Sequence, residues 1–126
     1  MRVLVTKVFA RFVRSERIDD GRLCDAVARA EAGSIDAHLG GGIIKQRVAR
    51  RGGGRSGGYR TVIAYQASQL SIFLYGFAKS ERDNIRDREL ADLKKLAKHY
   101  LSFNDAQIEA ALVAAELREV MCDEQR

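Results

Sequence analysis

The chain has 126 residues, 46% of them apolar and 31% charged, with 22 Lys+Arg against 17 Asp+Glu and neither proline nor tryptophan. That is the size of one domain, able to bury a core but too small for a deep substrate cavity, so any active site is expected to be shallow. The longest apolar runs, Thr61 to Tyr65 and Ser71 to Ala78, fall well short of the ~20 residues a membrane span needs, and no secretory leader pattern opens the chain, so a soluble cytoplasmic protein is expected.

In chain order, Val3, Leu4, Val5, Thr6 and Val8 read as a short β-branched strand that runs into helical spacing at Phe9, Phe12 and Val13. Asp19 or Asp20 is placed to cap a second helix with Leu23, Ala26, Val27 and Ala30 on one stripe, and Gly33 stands where a helix ends. Residues Ser34 to Gly42 read as a loop ending in three glycines. Ile43 to Arg50, Tyr59 to Tyr65 and Leu70 to Phe77 then predict three antiparallel strands joined by hairpins. Asp87 to Leu101 carries Leu90, Leu93, Leu96, Ala97 and Leu101 in helical register, and Asn104 or Asp105 opens a last helix with Ile108, Ala111, Leu112 and Ala115. The expected architecture is α+β, a small antiparallel sheet with the helices packed on one face. Residues 1–126 form a single domain in this reading, with 103–126 a helical C-terminal extension.

The charge is unevenly spread. Residues 1–36 balance to +1 and residues 81–126 to −3, whereas residues 37–80 hold Lys45, Arg47, Arg50, Arg51, Arg55, Arg60 and Lys79 with no Asp or Glu. An acid-free basic block is the footprint of a surface that contacts phosphates; the plainer reading is a solvated basic hairpin. Gly52-x-Gly54-x-x-Gly57 matches the dinucleotide-binding pattern by letter, but a strand rather than a helix follows it, so no helix N-terminus waits for a pyrophosphate. What remains is a glycine-rich tip bearing Arg51 and Arg55.

Strand alternation puts Lys45 and Arg47 on one face, and Arg60 joins them if the neighbouring strand is in phase. Cations gathered on a half-buried face repel one another and lose hydration, so an anionic ligand is their natural counterpart. No metal is expected: His38 and His99 have no Asp, Glu or Cys partners at ligand spacing. Cys24 and Cys122 are too few for a disulfide framework, and with no CxxC pair both are expected to be free thiols.

Three segments in combination carry a resemblance: Gly42-Ile-Ile-Lys45-Gln-Arg47-Val, Ser56-Gly-Gly-Tyr59-Arg60, and Tyr75-Gly-Phe-Ala-Lys79-Ser-Glu81-Arg82-Asp-Asn-Ile85. Over roughly Val3 to Leu101 the chain resembles the RelE/ParE superfamily of toxins from type II toxin-antitoxin modules, in particular its HigB-like branch. The resemblance implies a metal-free, ribosome-dependent mRNA endoribonuclease (mRNA interferase) without a cofactor. Its partners would be the ribosome, mRNA and a cognate antitoxin. The ribose 2′-OH would attack the adjacent phosphate, leaving a cyclic phosphate and a 5′-OH while cations stabilise the developing charge.

On that basis Lys45 is expected to act as base or as the cation that activates the 2′-OH. Arg47 and Arg60 would hold the scissile phosphate, and Lys79 or Arg82 the leaving oxygen, while Arg50, Arg51, Arg55 and Tyr59 contact RNA. Where some members carry a tyrosine past the last strand, this chain reads Ile85-Arg86-Asp87; Tyr59, Tyr65 or Tyr75 substitutes only if its face is right. The alternatives are a non-enzymatic inhibitor on the same fold, as in the ParE branch that poisons DNA gyrase, and a nucleic-acid-binding protein without catalysis.

Overall fold

The computed structural model describes residues 1–50, 58–82 and 84–122. Their order is β1 (Arg2–Thr6), α1 (Lys7–Glu16), α2 (Asp20–Glu31), β2 (Ala37–Gly40), β3 (Ile43–Val48), β4 (Tyr59–Gln66), β5 (Leu70–Ala78), α3 (Asp87–Leu101), α4 (Asp105–Val113) and β6 (Leu117–Glu119). The strands form one sheet in the order β2-β3-β4-β5-β1-β6. Neighbours are antiparallel except β1 and β5, which run parallel, a pairing that the long connection through α1 and the elements after it allows.

Several elements differ from their sequence patterning. The stretch expected as a loop before Gly42 contains β2, a four-residue edge strand that pairs with β3; four residues ending in glycine are too few to show alternation. Val8, read as strand, lies exposed in the first turn of α1, which starts early because the Thr6 side chain caps it by accepting from the Phe9 N–H. The C-terminal segment is not purely helical: α4 ends before Ala115, whose φ is 59°, and β6 returns to pair with β1.

The helices cover both faces rather than one. On the first face Val3, Val5, Ile44, Val48, Ile63 and Phe73 pack beneath α1 and α2 through Phe9, Val13, Leu23 and Val27. On the second face Leu4, Ile43, Val62, Ala64, Ile72 and Leu74 meet Ala97 and Tyr100 of α3 and Ile108 and Ala111 of α4. A sheet apolar on both sides needs both covered, which the near-continuous apolar runs of β4 and β5 require. Cys24 of α2 and Cys122 are not free thiols. The return of β6 places their Cα atoms 5.7 Å apart across 98 residues of sequence, and a disulfide joins them.

Two details of the strands position the functional residues. Gln46, fully buried, donates from its side-chain amide to the carbonyls of Ala26 and Ser34 at 3.0 Å each and accepts from the Asp36 N–H at 2.9 Å, which fastens residues 34–36 against β3. Between β4 and β5 the register skips one residue, Val62 facing Tyr75 and Ile63 facing Phe73. This bulge at Leu74 reverses the phase of the rest of β5. Gly76 and Ala78 therefore face α1, and Tyr75 and Phe77 face the other way.

Candidate functional site

Arg47 and Arg60 are direct register partners on β3 and β4, with Phe77 of β5 next in the same row. One row along the strands, Lys45, Val62 and Tyr75 face one another in the same way. The sequence left the phase of Arg60 open; the register puts it on the face of Lys45 and Arg47. The two rows occupy one end of the second sheet face, the other end of which is filled by Ile43, Ala64 and Ile72 beneath α3 and α4.

The cations in these rows differ in what holds them. Arg47 is engaged at the sheet edge, where Asp36 Oδ2 accepts from its backbone N–H at 2.6 Å and lies 3.6 Å from its Nε. Arg60 is half-buried, and its Nη1 is solvent-inaccessible with no hydrogen-bond partner among the described residues. Such an orphaned charged donor is costly, and it is where an anion would be accepted. Lys45 is half-buried and Lys79 exposed just past β5; neither has a carboxylate partner among the described residues.

Arg82, expected with Lys79 at the leaving oxygen, has its donors engaged within the fold. Its guanidinium lies over Phe77 and Tyr75, 5.1 and 5.9 Å from the ring centroids. It makes five hydrogen bonds, to the Asn84 carbonyl twice, to both oxygens of Glu89, and to the Tyr75 hydroxyl at 3.2 Å. That is one acceptor for each N–H of an arginine, which leaves no donor free. Glu89 also accepts from the Arg86 N–H at 2.9 Å, the N3 half of a capping box at the start of α3, to which the Arg86 side chain adds no cap hydrogen bond. The hydrogen bond from Arg82, then that from Arg86, pushes the Glu89 carboxyl down to about 2. Glu89, on the far side of a helix start, was not singled out from the sequence; the only signal was the acidic first turn of α3.

Tyr59, expected to touch RNA, lies on the wrong face. It is 4% exposed, and its ring packs edge-on to Phe12 at 5.5 Å within the first core. Burial, then a hydrogen bond to Glu16, raises its hydroxyl above the ordinary tyrosine range. Tyr65 is committed to Glu31, with burial and that hydrogen bond pushing it up to about 12. Only Tyr75, of the three tyrosines considered, shares the face of the cations. Arg50 is exposed at the end of β3, and Arg51 and Arg55 lie outside the described residues.

Among the described residues no group of three or more His, Cys, Asp or Glu side chains is placed to hold a metal ion, and no helix is long and apolar enough to cross a membrane. The family model described as the RelE toxin of the RelE/RelB toxin-antitoxin system matches residues 1–120. The match reaches through α4 and β6, beyond the segment whose motifs carry the resemblance. No curated protein matches the chain.

Proposed function

The chain belongs to the RelE toxin family of toxin-antitoxin systems, and from that premise we propose that it is a metal-independent mRNA endoribonuclease that acts in the cytoplasm on the translating ribosome. A cognate antitoxin, the partner that a toxin of this family implies, holds it inactive. The observation that carries the reading is the Nη1 of Arg60, without a partner among the described residues, in a row with Arg47 and beside Lys45.

The chemistry follows from where these groups sit. A phosphodiester laid across β4 is met by Arg47, exposed on the adjacent strand, and by Arg60, whose buried Nη1 turns outward to reach the same phosphate. Both donate to its non-bridging oxygens, which gain charge as the 2′-oxygen adds to phosphorus. Lys45, one row away, faces the attacking 2′-oxygen and either takes its proton or stabilises the alkoxide. Lys79, exposed past β5, contacts a flanking phosphate together with Arg50. Because the site is shallow, substrate geometry has to come from elsewhere. A ribosome that holds mRNA extended supplies it, and so meets in advance the entropy cost of orienting the reacting groups.

The test is transcriptome-wide mapping of new 5′-OH RNA ends shortly after induction, in the wild type, in a Lys45→Ala/Arg60→Ala variant, and in a parallel culture with translation blocked. Cuts within translated frames that vanish in the variant and under the block are expected. Growth arrest without cuts would point instead to a gyrase-type inhibitor, and neither arrest nor cuts to a nucleic-acid-binding protein without catalysis.

A further inference from the structure

The mechanism above leaves the departing 5′-oxygen without a proton donor, because Arg82 has no N–H to spare and Lys79 is placed on a flanking phosphate. We propose that Tyr75 is that donor, and that Arg82 and Glu89 are positioning residues that hold its phenol toward the phosphate. The assignment rests on the nuclease reading.

The register supplies the geometry. Lys45 and Tyr75 face each other across Val62, two strand spacings or about 10 Å apart at the sheet. Arg60 lies one row over on the strand between them, diagonal to both. A phosphate held by Arg60 therefore has Lys45 on one side and Tyr75 on the other. An in-line displacement puts the entering and leaving oxygens on opposite sides of phosphorus. That backbone spacing is about the width of one phosphate flanked by two hydrogen bonds of about 2.6–3.2 Å.

The step balances. The 2′-oxygen forms its bond to phosphorus and gives its proton to the uncharged amine of Lys45, which then releases it to water. The bond from phosphorus to the 5′-oxygen breaks, and the Tyr75 hydroxyl proton passes to that oxygen. The products are a 2′,3′-cyclic phosphate and a free 5′-OH, and the phenolate regains a proton from water.

What surrounds the phenol suits this role. Arg82 Nη1 donates to the phenol oxygen at 3.2 Å, so the hydroxyl proton points away from the guanidinium, and a cation adjoins the atom where phenolate charge develops. The hydroxyl's present acceptor, Glu89 Oε2, is 3.5 Å away, at the outer limit of a hydrogen bond and easily given up to a substrate oxygen. Glu89 is ionised across the physiological range, so it anchors Arg82 rather than supplying the proton. The bulge at Leu74 brings the phenol to this face at all.

The experiment uses ribosomes programmed with an mRNA whose scissile linkage carries either the natural 5′-oxygen or a bridging 5′-sulfur, which leaves as a thiolate and needs no proton. Tyr75→Phe is expected to slow cleavage of the oxygen linkage by about 10²–10⁴-fold and to cut the sulfur linkage at the wild-type rate. Glu89→Gln keeps a capping residue at the start of α3 but loosens Arg82, and should show a smaller loss on oxygen and none on sulfur. An equal loss on both linkages, or no loss on either, would overturn the assignment to Tyr75. A wild type that cuts neither linkage would overturn the nuclease reading, and the assignment with it.

Discussion

Beneath α1 and α2, the first sheet face buries Gln46, Thr61 and Tyr59 with polar partners for each: two carbonyls and an N–H for Gln46, the Gln46 carbonyl for Thr61, and Glu16 for Tyr59. On the second face, at the same level of the same strands, Arg60 Nη1 is buried with none among the described residues. Both faces are built from adjacent residues of β3 and β4, so the difference comes from neither composition nor topology. A polar group that serves the fold is paired within the fold, whereas one left unpaired at a structural cost points to a ligand that pairs it. The first face is thus expected to govern stability and the open end of the second to govern chemistry.

Substitutions can separate the two. The largest stability effect belongs to the disulfide behind the first face. Its loop spans 98 residues, and against the purified, oxidised wild type a Cys24→Ser/Cys122→Ser variant should lose about 2–5 kcal/mol, read as a lower midpoint in urea, a difference that a reductant abolishes. Its cleavage of programmed ribosomes should be unchanged at a temperature where it stays folded. Arg60→Met should do the opposite. Cleavage is expected to fall by about 10²–10³-fold, as when one oxyanion donor is removed. The midpoint should stay level or rise, because a buried unpaired donor is exchanged for an apolar side chain.

A smaller stability effect is expected at Gly76, where an added Cβ would lie 2.7 Å from Phe12 Cε2 and 2.9 Å from Phe9 Cε1. Both rings are pinned in the first core, so Gly76→Ala should cost about 1–3 kcal/mol by overpacking. Since Gly76 sits between Tyr75 and Phe77, any effect on cleavage beyond that of unfolding would mean that the two faces are less independent than argued.

The smallest effect is the acid dependence of Glu89. Its folded carboxyl is pushed from 4.5 down to about 2 by Arg82 and Arg86, so the folded state resists its protonation. The contribution is complete above pH 4.5 and is lost as pH falls toward 2. Glu89→Gln should flatten the fall in stability over that window, measured by urea titration at successive pH values.

Much of this was legible in the sequence where a pattern was long enough to register. Helix α3 spans Asp87–Leu101, the bounds that its leucine spacing marks, β3 follows its alternation, and β4 and β5 follow the β-branched and aromatic content of their runs. What escaped was short or long-range. Strands β2 and β6, of four and three residues, carry too little pattern of their own and exist only because a neighbour offers an edge. The disulfide depends on the return of β6, which no spacing of two cysteines reveals. Within the site, the acid-free block and the pairing of Lys45 with Arg47 were visible from charge and alternation alone. The face of Tyr75 was not, since unbroken alternation from Phe73 puts it under α1, and only the one-residue bulge reverses that. Nor was the capture of Arg82 visible, because its counter-charge comes from the first turn of a separate helix.

The most direct test is single-turnover cleavage of mRNA on programmed ribosomes by purified wild type and Arg60→Met, with the urea midpoint of each measured on the same preparations. The account predicts a midpoint at or above that of the wild type and a cleavage rate lower by about 10²–10³-fold. A variant that unfolds more readily yet cleaves at the wild-type rate when folded would contradict it, because Arg60 would then be holding the fold rather than the phosphate.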